Sequence, residues 1–277
     1  MLRNGLYIIA TPIGNLKDIS PRAAEILNEA EIIACEDTRV SKKLFSLLGL
    51  PLNKKFIKYE DHTEEKQAQN LIDLINEGAS VALISDAGSP LISDPGYKLV
   101  RKCRKQEVYV TAVPGACAVI TALQLSGLPT NRFMFAGFIP NKDKARADLF
   151  NELKNINTTL VFYETAPRLL KTLEQVALIF AGREISIARE LTKMYEEVVG
   201  GDIRQVIEYF TANEPRGEFV LMVAPPVAAE NSAIDIRPIL QKRLAETSLK
   251  TAVKEISTQY GLNKNEVYAL ALELKNE

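Results

Sequence analysis

The chain has 277 residues, of which 47% are hydrophobic and 25% charged, and its net charge at neutral pH is −1. This length and composition predict a soluble globular protein of two domains with a short appendage. The near-neutral charge excludes a global basic field for nucleic acid, and no apolar run reaches the roughly 18–20 residues that cross a bilayer, so we expect a cytoplasmic protein without a membrane span.

The first half of the chain alternates short apolar runs with helical patterns. Strands are predicted at residues 6–11, 31–35, 55–59, 81–85 and 108–112. Helices are predicted between them at residues 22–29, 41–48, 64–77 and 97–105. Ser20 and Pro21 are typical of the N-cap and the first position of the first helix. Strands that alternate with helices favour a mostly parallel sheet covered on both faces.

The second half begins near Pro114 and alternates again. Strands are predicted at residues 133–137, 159–163, 185–189 and 218–224, with helices at residues 116–125, 144–154, 167–180 and 203–210. Direct strand-to-strand steps between residues 188 and 200 indicate antiparallel pairing, and therefore a mixed sheet. The fold class is α/β, with one α/β domain at residues 1–113 and a second at residues 114–226.

A proline-rich linker at residues 225–232 precedes three predicted helices at residues 234–244, 250–260 and 264–274. A short turn containing Gly261 joins the last two helices, which resembles a helix-turn-helix. The alternative is a packing appendage that docks on the rest of the protein. The charges of this helical tail, residues 233–277, are mixed, so we expect no DNA partner.

Polar loops follow the strands of the first predicted sheet at residues 12–15, 36–39, 60–62, 86–96 and 114–117. In a parallel sheet these loops emerge on one edge, where open α/β folds bind small molecules. The first loop has neither GxGxxG nor GK[ST], which disfavours a dinucleotide or P-loop site and suggests a different adenosyl ligand. Residues 163–165 and 189–193 end strands of the second domain and could face the same crevice. Ordinary capping loops are the alternative.

Individual loop residues have both chemical and structural interpretations. The small residues Ala87, Gly88 and Ser89 would let backbone N–H groups approach a carboxylate or a ribose hydroxyl, or would simply form an ordered turn. Asp37 and Arg39 could pair with each other, or face an RNA backbone or a reactive hydroxyl. Possible phosphate contacts, of which only a few would touch a polyanion, are Lys42, Lys43, Arg168, Arg189, Lys193, Arg204 and Arg216.

The spacing of the cysteines and the presence of a single histidine argue against several other kinds of site. Cys35, Cys103 and Cys117 lie far apart without CxxC spacing, and His62 is the only histidine. We therefore expect no disulfide, no metal site and no Ser-His-Asp hydrolase. Cys117 is predicted to be a small buried residue and His62 a solvated surface residue.

Three strings occur together in this chain: TPIGNL at residues 11–16, EDTR at residues 36–39 and DAGSPLISDPG at residues 86–96. With residues 114–123, 163–164, 188–193 and 217–223, they resemble the class III S-adenosylmethionine methyltransferases of the tetrapyrrole methylase type. More narrowly, they resemble the ribosomal small subunit methyltransferase I family. The resemblance covers nearly the whole chain, including the helical tail.

This resemblance implies S-adenosyl-L-methionine in a cleft between the two α/β domains, a homodimer, and 2′-O-methylation of a cytidine in the decoding region of small-subunit (16S) rRNA. The partner would be that rRNA or the assembled small ribosomal subunit. The implied cofactor contacts are Pro12, Gly14, Asp86, Ala87, Gly88, Ile92, Ser93, Ala116, Cys117, Tyr163, Ala188 and Pro225.

Two strings depart from the family pattern, because Glu60 and Thr63 stand where we expect His and Asn, and residues 165–168 lack the usual Pro-His-Arg. These changes put a catalytic histidine in doubt. A carboxylate within reach of the ribose 2′-hydroxyl would act as general base. Asp37 is the first candidate, followed by Asp94 and Asp86, while Arg39 and Arg189 could anchor phosphates.

Two other functions compete with rRNA methylation. One is a methyltransferase that acts on a small tetrapyrrole-type or diphthine-type substrate, against which the EDTR string and the tail argue. The other is a non-catalytic RNA-binding assembly protein that has kept the fold, against which the intact cofactor loops argue.

Overall fold

The computed structural model describes residues 2–60, 64–226, 236–260 and 262–276. One compact unit ends at Pro226 and contains both sheets, and a second unit begins at residue 227. His62, most of the predicted linker and the first residues of the predicted tail lie outside the described residues. The boundary at residue 113 between two domains stays a prediction.

The first sheet has five strands that pair in parallel throughout, in the order β3-β2-β4-β1-β5. They are β1 (Gly5–Ile9), β2 (Ile32–Cys35), β3 (Lys55–Lys58), β4 (Ser80–Ile84) and β5 (Val110–Val113). The helices between them are α1 (Pro21–Glu29), α2 (Thr38–Leu47), α3 (Glu64–Asn76) and α4 (Tyr97–Lys105). The predicted parallel sheet is therefore confirmed.

Helices cover both faces of this sheet, since a parallel sheet must bury both. On one face, the α1 residue Leu27 and the α2 residue Phe45 pack with Ile9 and Ile33. On the other face, α3 and α4 contribute Leu71, Ile72, Leu99 and Cys103 to a second core.

Local capping explains where the first two helices begin. Ser20 Oγ accepts a hydrogen bond from the Ala23 N–H, and Pro21 is the first residue of α1, as predicted. The helix α2 begins at Thr38, earlier than predicted, because the Asp37 side chain caps it by accepting from the Arg39 N–H at 2.8 Å.

The second sheet has the order β6-β7-β10-β8-β9. Its strands are β6 (Phe133–Phe138), β7 (Thr159–Thr165), β8 (Ile185–Arg189), β9 (Glu197–Gly201) and β10 (Glu218–Val223). The β6 and β7 strands are parallel and the other pairs antiparallel, which confirms the predicted mixed sheet. The associated helices are α5 (Ala118–Leu125), α6 (Asp143–Leu153), α7 (Leu169–Ile179) and α8 (Ile203–Ala212).

The two faces of the second sheet have different cover. The helices α6, α7 and α8 pack on one face around Phe150, Phe162 and Phe210. On the other face, the α5 residues Val119 and Leu123 pack with Val161, Ala188 and Val220. Because side chains alternate along a strand, Ala188 and Val220 point away from the three-helix layer, towards the site described below.

The second unit contains α9 (Ile236–Glu246), α10 (Leu249–Tyr260) and α11 (Lys264–Asn276). These three predicted helices are confirmed over their described residues. They share a small core that includes Leu240, Val253, Ile256, Val267 and Ala271. Across the described part of the chain, no helix is long and apolar enough to cross a membrane.

Candidate active site

A cavity of about 430 Å³ lies where the carboxyl ends of the parallel strands meet the second sheet. The first sheet contributes Ile13, Glu36, residues 86–89 and residues 92–94 to its lining. The remaining lining comes from Cys117, Ala118, Phe138, residues 163–165, Ala188, Glu190, Leu191, Lys193 and residues 218–220. The volume is within the range of small-molecule and cofactor sites.

Hydrogen bonds tie the loops that build the floor of this cavity. The Thr11 N–H donates to the Gly88 carbonyl at 2.8 Å, and the Gly88 N–H donates back at 3.1 Å. Ser89 Oγ donates to the Ala116 carbonyl at 3.0 Å, which joins a third loop. Gly88 has a φ of +82°, and a Cβ there would lie 3.2 Å from Ile13 Cγ2. A glycine therefore keeps this backbone open to a ligand.

Residues with unfavourable backbone angles lie on both sides of the cavity. Leu91 and Ser93 in the first wall have φ values of 71° and 69°, and Glu190 and Thr192 in the opposite wall have values of 48° and 64°. Left-handed non-glycine residues cost roughly 1–3 kcal/mol each and concentrate at ligand clamps. The strain indicates that both walls are held in a preset shape.

The charged residues that line the cavity are mainly acids. Among the described lining residues, the carboxylates are Glu36, Asp86, Asp94, Glu164, Glu190 and Glu218, and the only Lys or Arg is Lys193. Lys193 Nζ is itself paired with Glu190 at 3.0 Å and with Glu218 at 2.8 Å. This excess of negative charge suits a ligand with a positive centre and disfavours entry of a polyanion.

Asp86 is a cavity-lining carboxylate with a perturbed pKa. Burial raises the pKa of Asp86; the hydrogen bond from the Asp37 N–H at 3.2 Å opposes this rise, and the Asp37 charge adds to it. A raised carboxyl pKa brings Asp86 closer to what a general base at neutral pH requires.

Asp37 and Arg39 form a bidentate ion pair, and neither residue is part of the cavity lining. Asp37 accepts from Arg39 Nε at 3.1 Å and from the terminal NH2 nitrogen at 2.6 Å. These hydrogen bonds hold the pKa of Asp37 well below its usual range. Of the alternatives for this string, the structure shows the mutual pair, and it leaves the Arg39 side chain 89% exposed.

Tyr163 forms part of an aromatic cluster in the second wall. Its ring lies 4.8 Å from that of Phe135 and 5.2 Å from that of Phe138, both edge to face. Burial raises the pKa of Tyr163 far above its usual value, so the phenol stays protonated.

Glu164 is a buried acid beside Tyr163. Its carboxylate accepts from Thr172 Oγ1 at 2.6 Å and from the Thr165 N–H at 2.8 Å, and it pairs with Arg168. These contacts fix the end of β7 at the cavity edge.

The structure brings most of the predicted site residues together. Those that line the cavity are Asp86, Ala87, Gly88, Ile92, Ser93, Asp94, Cys117, Tyr163 and Ala188. Pro12 and Ala116 adjoin lining residues, and Gly14 contacts the turn at Lys193. Pro225 follows the opposite end of β10 from the lining residues 218–220.

Several lining residues were absent from the predicted contacts. Glu36 and Ile13 lie within loops that the sequence analysis identified. The sequence did not indicate that these two residues line the cavity. Phe138 ends the partly exposed strand β6 and has no local signal, whereas Glu218 begins the buried strand β10 within the stretch 217–223 that carries the resemblance. Among the described residues, no group of three or more His, Cys, Asp or Glu side chains could hold a metal ion.

Comparison with solved structures shows the same fold. The chain matches a diphthine synthase with a TM-score of 0.60 at 15% identity, covering 79% of this chain and 89% of that one. It matches a uroporphyrin-III-C-methyltransferase from Thermus thermophilus with a TM-score of 0.55 at 19% identity, covering 80% and 94%. Residues 5–207 match the family described as tetrapyrrole (corrin/porphyrin) methylases. The fold and the family match therefore define this chain as a tetrapyrrole-methylase-type protein.

Comparison with curated relatives identifies one family within this class of protein. Proteins named ribosomal RNA small subunit methyltransferase I are 44% identical in Rickettsia prowazekii (98% of this chain and 97% of the relative) and 47% identical in Erythrobacter litoralis (99% and 96%). The relative in Escherichia coli O157:H7 is 42% identical, covering 97% and 94%. Residues 230–275 match the family described as the RsmI C-terminal HTH domain. The chain belongs to the ribosomal RNA small subunit methyltransferase I family.

Proposed function

We propose that this protein transfers a methyl group from S-adenosylmethionine to the ribose 2′-oxygen of a cytidine in small-subunit rRNA. The observation that carries the proposal is the acidic cavity of about 430 Å³, built from both sheets at the loops that hold the family strings. Family membership supports the rRNA substrate, and the resemblance of the loop strings supports the 2′-oxygen of a cytidine as acceptor.

The cavity residues fit this methyl donor. When bound, S-adenosylmethionine supplies an activated methyl group on a cationic sulfonium. The carboxylates of Asp86 and Asp94 give the cavity the opposite charge, whereas Glu190 is paired with Lys193. The open backbone around Gly88 and the apolar side chains of Ile13 and Ala188 would hold the polar and apolar parts of the adenosyl group.

Asp86 and Asp94 are the proposed proton acceptors. A ribose 2′-hydroxyl is a weak nucleophile until a base accepts its proton, and both carboxylates line the cavity. Asp86 is placed first because its raised pKa makes it a stronger base than Asp37, whose pKa is lowered by Arg39. The protein must also orient the hydroxyl oxygen towards the methyl group. The fixed walls of the cavity would hold it in that position.

Asp37 and Arg39 are proposed to position the substrate from the cavity rim. Asp37 caps α2 and holds the guanidinium of Arg39, which is exposed and free to meet a phosphate with its outer face. In the proposal the enzyme works as a cytoplasmic homodimer on rRNA or on the assembled small subunit.

A methyl-transfer assay tests the function. The purified protein is incubated with tritiated S-adenosylmethionine and small ribosomal subunits from a strain that lacks the gene, and the labelled nucleotide is mapped. We expect one methyl group per subunit on a cytidine ribose. Label on a base, or on a small tetrapyrrole-type or diphthine-type acceptor in parallel reactions, would overturn the proposal. Absence of donor binding by calorimetry would point to a non-catalytic protein.

A further inference from the structure

Positive charge is distributed unevenly along this chain. Residues 38–58 contain six Lys and Arg residues and no Asp or Glu, although the whole chain has a net charge of −1. The rest of the chain is therefore acidic, as the cavity lining is. An enzyme that draws a polyanion to an acidic cavity needs a local cationic surface beside it.

The fold places most of these cations on one surface. Lys42 Nζ lies 5.5 Å from the centre of the Phe56 ring, so α2 and the edge strand β3 present their lysines together. Side chains alternate along β3, which puts Lys58 on the same face as Phe56. Arg39 lies at the start of α2, three residues after the cavity-lining Glu36. Arg39, Lys42, Lys43 and Lys58 form what we call the α2–β3 cation surface. Within it, Arg39 is paired with Asp37 and Lys58 with Glu60, each at 2.6 Å, so the proposal depends on Lys42 and Lys43.

Four of the five other candidate phosphate contacts are occupied by carboxylates. Arg168 pairs with Glu164, Arg189 with Glu197 and Arg216 with Glu214. Lys193 is held by two acids inside the cavity. In contrast, Lys42 and Lys43 are exposed, and no ion pair within 4 Å joins either of them to a described carboxylate. These two lysines are therefore accessible to an external partner.

Structural roles account for some cations but not for these. Lys54 donates to the carbonyls of Asn28 and Ala30 and so ends α1. Lysines on an edge strand also deter pairing with another sheet, a role that explains Lys55 and applies to Lys58 as well. A second basic helix, α4, carries three of its five cations in its last turn, where they favour the helix dipole. None of these roles applies to Lys42 and Lys43, which lie mid-helix in α2.

We propose that the α2–β3 cation surface binds the phosphates of the rRNA strand flanking the target nucleotide. The inference rests on the proposed function. Phosphate contacts fix the position of the strand without reading its sequence. The acidic cavity repels the backbone, so the strand stays on the rim while one ribose reaches inward.

The test uses the double variant Lys42→Gln/Lys43→Gln and the matched control Arg104→Gln/Lys105→Gln on α4. Binding to small subunits lacking the methyl group is measured across a salt series, together with KM for methylation and the Kd of S-adenosylmethionine. We expect the first variant to raise KM about tenfold and to reduce the slope of log K against log salt by about 1.4, for two single-strand contacts. Donor affinity stays at the wild-type value.

A wild-type salt slope in the Lys42/Lys43 variant, or an equal change in the control, would overturn the proposal. Weaker binding with an unchanged slope would also overturn it, since that result indicates a protein contact on the subunit. Failure of the wild-type enzyme to methylate rRNA would instead remove the proposed function. In that case, the salt dependence of direct subunit binding still tests whether the α2–β3 cation surface binds phosphates.

Discussion

Gly14 and Lys193 meet across the cavity mouth at a distance that leaves no room for a side chain on Gly14. A Cβ atom there would lie 2.5 Å from Lys193 Cγ, 2.8 Å from Thr192 Oγ1 and 3.0 Å from the Leu191 carbonyl oxygen. The adjacent Asn15 N–H donates to Thr192 Oγ1 at 3.0 Å. The loop after β1 and the turn after β8 are therefore locked together, which fixes the distance between the two walls.

Replacing Gly14 with alanine should separate these walls. Lys193 could move its flexible side chain, but the Leu191 carbonyl and Thr192 cannot shift without moving the strained turn. We expect Gly14→Ala to lower the free energy of unfolding by about 1–3 kcal/mol and to weaken S-adenosylmethionine binding at least tenfold. Denaturant titration and calorimetry measure the two effects.

Gly49→Ala is the control for this substitution. Gly49 has a φ of +68° and no atom within 4 Å of its would-be Cβ, so alanine there meets only backbone strain. Its cost is about 1 kcal/mol of stability, with unchanged donor affinity. Wild-type donor affinity in Gly14→Ala would show that the contact does not set the cavity width.

Much of the first sheet could be predicted because its signals are local. Ser20 and Pro21 mark a helix start by their own chemistry, and buried apolar runs mark the parallel strands. The start of α2 was predicted too late. Asp37 was interpreted only as a catalytic residue or as the partner of Arg39, whereas its side chain caps the helix.

The second wall of the cavity could be predicted only in part. The strand ends at Tyr163 and Ala188 and the stretch that contains Glu218 were identified by resemblance, yet Phe138 reaches the cavity through the order of strands in a mixed sheet. The contact between Gly14 and Lys193 joins residues far apart in the chain. Such a pairing has no periodicity or spacing that would reveal it.

The Asp86 carboxylate should matter more for methyl transfer than that of Asp37. Asp86→Asn removes a cavity-lining base, so we expect its single-turnover rate at saturating donor to fall about 100-fold or more. Asp37→Asn keeps a helix-capping oxygen and loses only an exposed ion pair, so its rate should fall less than about tenfold. Equal losses in the two variants would contradict the order of these bases.

The same pair of variants predicts a pH-dependent change in stability. Because burial raises the folded-state pKa of Asp86 above 3.8, folding favours its protonated form, and the carboxylate costs stability as pH rises through that pKa. Asp86→Asn should therefore melt at a higher temperature than the wild type at pH 7, with the difference shrinking as the pH falls towards 3.8. For Asp37 the sign is opposite, because its folded-state pKa is lowered. A lower melting temperature for Asp86→Asn at pH 7 would refute this account.

Glu164 should contribute strongly to stability. Its side chain has no exposed surface and accepts from Thr172, the Thr165 N–H and Arg168. Glu164→Gln weakens charge-assisted bonds in a buried setting, and we expect a loss of about 2–3 kcal/mol of unfolding free energy. The control Glu214→Gln breaks an ion pair whose side chains are 77% and 75% exposed, with an expected change below about 0.5 kcal/mol. Comparable losses in urea titrations would contradict the assignment.

The three cysteines provide a chemical probe of the cavity. Burial raises the pKa of Cys103 to about 11 and also raises that of Cys35, so neither thiol should react readily at pH 8. Cys117 is half-buried and lines the cavity. We expect one fast-reacting thiol with a disulfide reagent, absent in Cys117→Ala, and slowed at least about tenfold by saturating S-adenosylhomocysteine. Because the nucleoside would cover Cys117 only if it occupies this cavity, labelling that is indifferent to it would place the donor elsewhere.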